Sequence, residues 1–216
     1  MDKRIYIFDF DGTLVDSMPY WSEKMLNILR KTNTVYPADV IKRITPLGDA
    51  GTAKYFREEL GVPLSDGEMF AMMDEFALPK YRDEIQLKDG VSDYLQKLSA
   101  KGYSLNVLTA SPHKMLDPCL ARLGIDCLFE NIWSCDDFGT TKSDVNIYLE
   151  AVRRIGGKTC DAVFFDDNIG AIRTAAAAGL YTVGIYDASG EDFIGEMRSA
   201  ADTYVYSMRE LMEDEE

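Results

Sequence analysis

From about residue 88 onward the chain alternates short apolar, β-rich runs with helical patterns, and no other feature constrains the fold so tightly. The runs are Leu105-Asn106-Val107-Leu108, Ala162-Val163-Phe164-Phe165 and Tyr181-Thr182-Val183-Gly184-Ile185, with a weaker one at Asn131-Ile132-Trp133-Ser134. Between them lie helix-periodic stretches at 91–100, 114–123, 145–155 and 169–178, each stopped by a glycine. Strand alternating with helix builds βαβ units, and these give a parallel sheet covered on both faces. One further run, Ile5-Tyr6-Ile7-Phe8, opens the chain and stops at the polar cluster Asp9-Phe10-Asp11-Gly12-Thr13. The pattern predicts an α/β fold with a Rossmann-like, three-layer core.

The stretch from about 15 to 85 breaks this rhythm. It reads as helical at 21–31, 38–44, 50–60 and 65–80, with no convincing strand. A helical block between the first strand and the rest of the core predicts an inserted α-helical cap domain over 16–85. The core domain is then 1–15 and 86–216. Trp21 and the Met69, Met72 and Met73 stretch read as packing inside that cap.

Composition sets outer limits. The 216 residues are 46% apolar and 28% charged, enough for a sizeable core, and the net charge is −14. A surplus of acid argues against a basic stripe for nucleic acid or anionic lipid. Only four apolar residues separate Arg4 from Asp9, too few for a signal peptide or a membrane span. The four cysteines (119, 127, 135, 160) form no Cys-x-x-Cys pair and have one histidine, His113, for company. Reduced thiols in a soluble, cytoplasmic protein are the expectation. Oligomeric state is not legible.

In open α/β sheets, ligands bind beyond the carboxyl ends of the strands, so the residues after each run collect the candidate site. Asp9 and Asp11, two apart, point the same way from extended backbone. One can attack as a nucleophile while the other gives and takes protons. After the second run come Thr109, Ala110 and Ser111 before a helix, a place suited to a phosphate oxygen. Lys142 precedes another helix and could neutralise charge. Asp166-Asp167-Asn168 follows the apolar run Val163-Phe164-Phe165, and carboxylates grouped so suit Mg²⁺. Alone, Asp-x-Asp reads better as an Asx turn and Lys142 as a solvated lysine, while helix capping is the alternative for Thr109, Ser111 and the acidic pair.

Together, in this order, they resemble the haloacid dehalogenase superfamily of phosphatases, in the subgroup with an α-helical cap. Asp9 to Asp16 matches the first family motif, Asp-x-Asp-Gly-Thr-Leu-x-Asp; Thr109, Lys142 and the Asp166–Asp167 pair match the other three. Two departures stand out: Ala171 occupies a position that is Asp in many relatives, and Ser143 follows Lys142 where Pro is common. The resemblance implies a Mg²⁺-dependent phosphatase acting on a small phosphorylated metabolite through an aspartyl-phosphate. Asp9 would be the nucleophile and Asp11 the acid and base. Thr109, Ala110 and Lys142 would bind the phosphoryl group. The metal would be held by Asp9, Asp11 (through its backbone carbonyl), Asp166 and Asp167. An acid at Asp11 argues against the dehalogenase branch, because a halide needs no protonation. Asp16, Trp21, the Thr45–Gly48 turn, Lys54 and Arg57 are candidate substrate contacts from the cap, and His113 a further one. A phosphomutase of the β-phosphoglucomutase type keeps the same site. A non-catalytic binding protein would be expected to lose the nucleophile, the acid or the lysine.

Overall fold

The computed structural model describes residues 4–213; the acidic tail beyond Glu213 and the first three residues lie outside them. In chain order the elements are β1 (Ile5–Phe8), α1 (Met18–Lys31), α2 (Val40–Ile44), α3 (Gly48–Glu58), α4 (Asp66–Asp83) and α5 (Val91–Ala100). There follow β2 (Ser104–Thr109), α6 (His113–Leu123), β3 (Asn131–Ser134), α7 (Val145–Ile155) and β4 (Ala162–Asp166). The rest are α8 (Ile169–Ala177), β5 (Tyr181–Ile185), α9 (Ile194–Ala200), β6 (Thr203–Val205) and α10 (Glu210–Glu213).

The six strands form one parallel sheet in the order β3-β2-β1-β4-β5-β6. This is the doubly wound order, and its reversal point lies between β1 and β4. Phe8 pairs in register with Val107 on one side and Phe165 on the other. Side chains alternate across the sheet. Tyr6, Phe8, Val107 and Phe165 therefore face α5 and α6, while Ile5, Ile7, Leu108 and Phe164 face α7 and α8. The Phe8 and Phe165 rings stack at 4.5 Å, which fixes the two central strands against each other. The α/β core is as expected. The edge strand β6, three residues long, carries no periodic signal and was not anticipated.

The helical insertion has its own core. Met25, Ile28 and Leu29 of α1 pack with Val40, Ile44, Ala53, Phe56, Met69 and Met73. The methionines are thus packing residues, as expected. Helix α1 begins at Met18, three residues earlier than predicted, because Pro19 is preorganised for a first turn. Helix α4 starts with a capping box between Ser65 and Glu68 and runs three residues past the predicted end, through Pro79. Its last turns join the other core: Ala77, Tyr81 and the following Ile85 are buried beside Phe10 and Leu14. No helix among the described residues is long and apolar enough to cross a membrane.

Candidate active site

The carboxyl ends of the central strands meet at a cavity of about 620 Å³. Asp9 continues β1 by one residue, its N–H donating to the Phe165 carbonyl at 2.9 Å. The chain then turns at Gly12, where φ is +74°. A Cβ there would stand 2.5 Å from Asp167 Oδ2, so backbone conformation and close packing both require glycine. Thr13, fully buried, ties this loop to the end of β4: its hydroxyl accepts the Asp167 N–H at 3.1 Å and donates to Asp167 Oδ1 at 3.3 Å.

Lys142 bridges two strand ends. Its Nζ lies 2.6 Å from Asp9 Oδ1 and donates to Asp166 Oδ2 at 2.7 Å. Asp166 is completely buried, and its other oxygen accepts the Asn168 N–H at 2.7 Å. Just past Lys142, the Tyr148 hydroxyl donates to the Lys142 carbonyl at 3.0 Å and anchors the turn. The Pro common in relatives after this lysine is replaced here by Ser143, yet the ammonium still reaches both carboxylates.

Charge is concentrated here. Burial pushes the Asp9 carboxyl up to about 7, with Asp166 and Asp11 adding to the rise and Lys142 opposing it. Burial and the charges of Asp166 and Asp9 hold Asp167 well above the usual carboxylate range. Burial alone would lower Lys142; Asp166 and Asp9 outweigh it and hold the ammonium well above its ordinary value. Asp9, Asp166 and Asp167 each offer an oxygen within 4.8 Å of the others. Three close carboxylates, only partly neutralised by Lys142, fit Mg²⁺, which takes oxygen ligands and relieves like-charge repulsion.

The Asp11 carboxylate is held apart from that cluster. Tyr81 Oη donates to its Oδ1 at 2.6 Å, and the Ser111 hydroxyl donates to its Oδ2. Thr109, buried at the end of β2, accepts the Ser111 N–H at 3.1 Å. Thr109 and Ala110 both line the cavity.

Of the sequence-derived contacts, Trp21, Thr45, Leu47 and Gly48 also line this cavity. Asp16 does not: it is exposed and faces a neighbouring cavity bounded by Leu87, Lys88 and Asp187. The turn at Gly12 to Val15 carries its side chain away from Asp9. Lys54 is exposed, Arg57 pairs with Asp66 and Glu58, and His113 lies between Asp117 and Asp137. None of these three lines the cavity. Sequence reading missed Tyr81, Lys24, Asp49 and Lys88. For Lys24 a signal existed, since it falls on the same face of α1 as Met25 and Ile28, where a charge must find a partner. Lys88 donates to the Gly12 and Tyr186 carbonyls, both at 2.6 Å, and to Asp187 Oδ2 at 3.0 Å. It pins the loop after β1 to the loop after β5.

A parallel doubly wound sheet with acid, hydroxyl and lysine side chains from four loops converging at its switch point defines a class, and comparison agrees. The model of the haloacid dehalogenase-like hydrolases matches residues 3–179, and the chain belongs to that family of enzymes. The phosphoglycolate phosphatase of Psychrobacter arcticus is 28% identical over 197 residues, 86% of this chain and 84% of that protein. The phosphorylated carbohydrates phosphatase of Thermotoga maritima is 24% identical over 174 residues, 81% of each chain. CbbY from Rhodobacter sphaeroides, solved in complex with phosphate, shares the fold with a TM-score of 0.81 at 21% identity, covering 97% of this chain and 96% of that one.

Proposed function

We propose that this chain is a Mg²⁺-dependent phosphatase that hydrolyses a small phosphorylated metabolite through an aspartyl-phosphate on Asp9. The observation that supports it most is the convergence of Asp9, Lys142 and Asp166 within 2.6 and 2.7 Å contacts, with Asp11 held separately by two hydroxyls.

In this reading an Asp9 oxygen attacks phosphorus, and the bond from phosphorus to the leaving oxygen breaks. Asp11 gives that oxygen its proton. Water then attacks the aspartyl-phosphate, Asp11 takes a proton from it, and phosphate departs with Asp9 restored. Tyr81 and Ser111 suit a group that alternates between acid and base, because a hydroxyl can donate to a carboxylate or accept from a carboxylic acid. Lys142 balances negative charge beside Asp9, and the Thr109 hydroxyl and the Ala110 backbone border the phosphoryl oxygens. Asp9, Asp166, Asp167 and the Asp11 carbonyl would hold Mg²⁺, which when bound supplies charge neutralisation for the phosphoryl group. Residues 16–85 act as the cap that covers the leaving group.

The test is phosphate release from an aryl phosphate and a panel of phosphometabolites, with Mg²⁺ or with EDTA, for the native protein and Asp9→Asn. Metal-dependent release that vanishes in Asp9→Asn is the expected result. Folded protein that releases nothing from any ester would defeat the reading, and turnover only with a sugar bisphosphate would replace it with a mutase.

A further inference from the structure

The wall of the cavity contributed by the helical insertion carries three linked side chains that phosphoryl transfer does not use. Lys24 of α1 is buried, with 7% of its side chain exposed, and its Nζ donates to both oxygens of Asp49 at 3.0 and 2.8 Å. Trp21, one turn earlier, donates its indole N–H to Asp49 Oδ1 at 2.9 Å. Asp49 keeps 43% of its side chain exposed, and all three residues line the same cavity as Asp9 and Asp11.

Their charge decides what can lie against them. Among the described residues lining this cavity, the basic ones are Lys24 and Lys142, and the acidic ones are Asp9, Asp11, Asp49, Asp166 and Asp167. Both lysines are already in ion pairs. A carboxylate or second phosphate on the leaving group would have to draw Lys24 away from Asp49, leaving that carboxylate unpaired beside the new charge. A hydroxyl meets no such obstacle, because the exposed part of Asp49 accepts a hydrogen bond while its ion pair stays intact.

We propose that Trp21, Lys24 and Asp49 form a leaving-group subsite that selects neutral, hydroxyl-bearing phosphomonoesters over esters carrying a carboxylate or a second phosphate. This inference rests on the phosphatase reading and names its substrate class. Substrates are therefore polyol or carbohydrate monophosphates.

The experiment compares kcat/KM for glycerol 1-phosphate, phosphoglycolate and an aryl phosphate, with Mg²⁺, in the native protein, Asp49→Asn and Lys24→Met. The native protein turns over glycerol 1-phosphate at least about tenfold more efficiently than phosphoglycolate. Asp49→Asn leaves the ammonium of Lys24 without its carboxylate, and the ratio moves about tenfold toward phosphoglycolate. Lys24→Met removes the cation itself, and its ratio does not move in that direction. A native preference for phosphoglycolate, or an unchanged ratio in folded Asp49→Asn, overturns the subsite. The native ratio decides the matter alone should the variant not fold. Metal-dependent release from the aryl phosphate accompanied by the wrong ratio defeats only this inference, whereas no release from any of the three defeats the phosphatase reading with it.

Discussion

Tyr81 is the clearest place to test how the insertion reaches the chemistry. It lies near the end of α4, yet its hydroxyl donates to Asp11, 70 residues earlier, at 2.6 Å. Burial, reinforced by the neighbouring Asp11 charge, holds the phenol well above its ordinary range, so it remains a proton-bearing donor. Tyr81→Phe deletes this bond and keeps the ring against Phe10, whose centroid is 6.0 Å away. A hydrogen bond to a charged group contributes about 1.5–3 kcal/mol, equivalent to about 10- to 150-fold in rate if all of it were lost in the transition state. Because Ser111 still holds the other oxygen, the lower end applies: kcat on an alkyl phosphate falls about tenfold. An aryl phosphate, whose leaving group departs without a proton, loses less than about threefold. Steady-state kinetics on both esters, with thermal unfolding as the check on folding, reads the difference. Equal losses on the two esters, or none on either, would refute the idea that Tyr81 positions the acid.

Three further outcomes follow from the same geometry. Gly12→Ala must place a Cβ at φ +74° against Asp167 Oδ2, so kcat should drop by more than about tenfold; near-native turnover would show that the loop after β1 yields freely. Lys88→Met leaves Asp187, whose side chain is 6% exposed, without its cation. A loss of about 3–5 kcal/mol, or roughly 6–20 °C in Tm, is expected by calorimetry, and an unchanged Tm would contradict the pinning role. Burial pushes the Cys119 and Cys135 thiols up to about 11, while Cys127 and Cys160 are exposed. Alkylation of the native protein at pH 8, followed by mass spectrometry, should therefore modify Cys127 and Cys160 and spare the other two.

Most of the candidate site could be read before the fold was seen, for a definite reason. Asp9, Thr109 and Asp166 each stand at the end of an apolar run, and Lys142 just before a helix. In a parallel sheet every such position faces the same edge, so direction alone brings them together. The strands themselves were legible because a sheet buried on both faces needs continuous apolar runs, as in Val163-Phe164-Phe165. The short edge strand β6 has one buried residue in three and offers no such run.

The tertiary structure alone decided the rest. Asp16 shares the first motif, but the turn that follows Gly12 sends it to a different cavity. Tyr81 meets Asp11, Lys88 meets Gly12 and Lys24 meets Asp49 across separations of 70, 76 and 25 residues. No local periodicity encodes such pairs, because each joins segments distant in the chain: Tyr81 to Asp11 across the insertion and the sheet, Lys88 to Gly12 within the core, and Lys24 to Asp49 between two helices of the insertion. Backbone direction, which the sequence pattern dictates, thus determined where the candidate site lies. Packing between segments distant in the chain, which no single segment contains, decided how Asp11 is held by Tyr81 and Ser111 and how Lys24 meets Asp49 in the cavity wall.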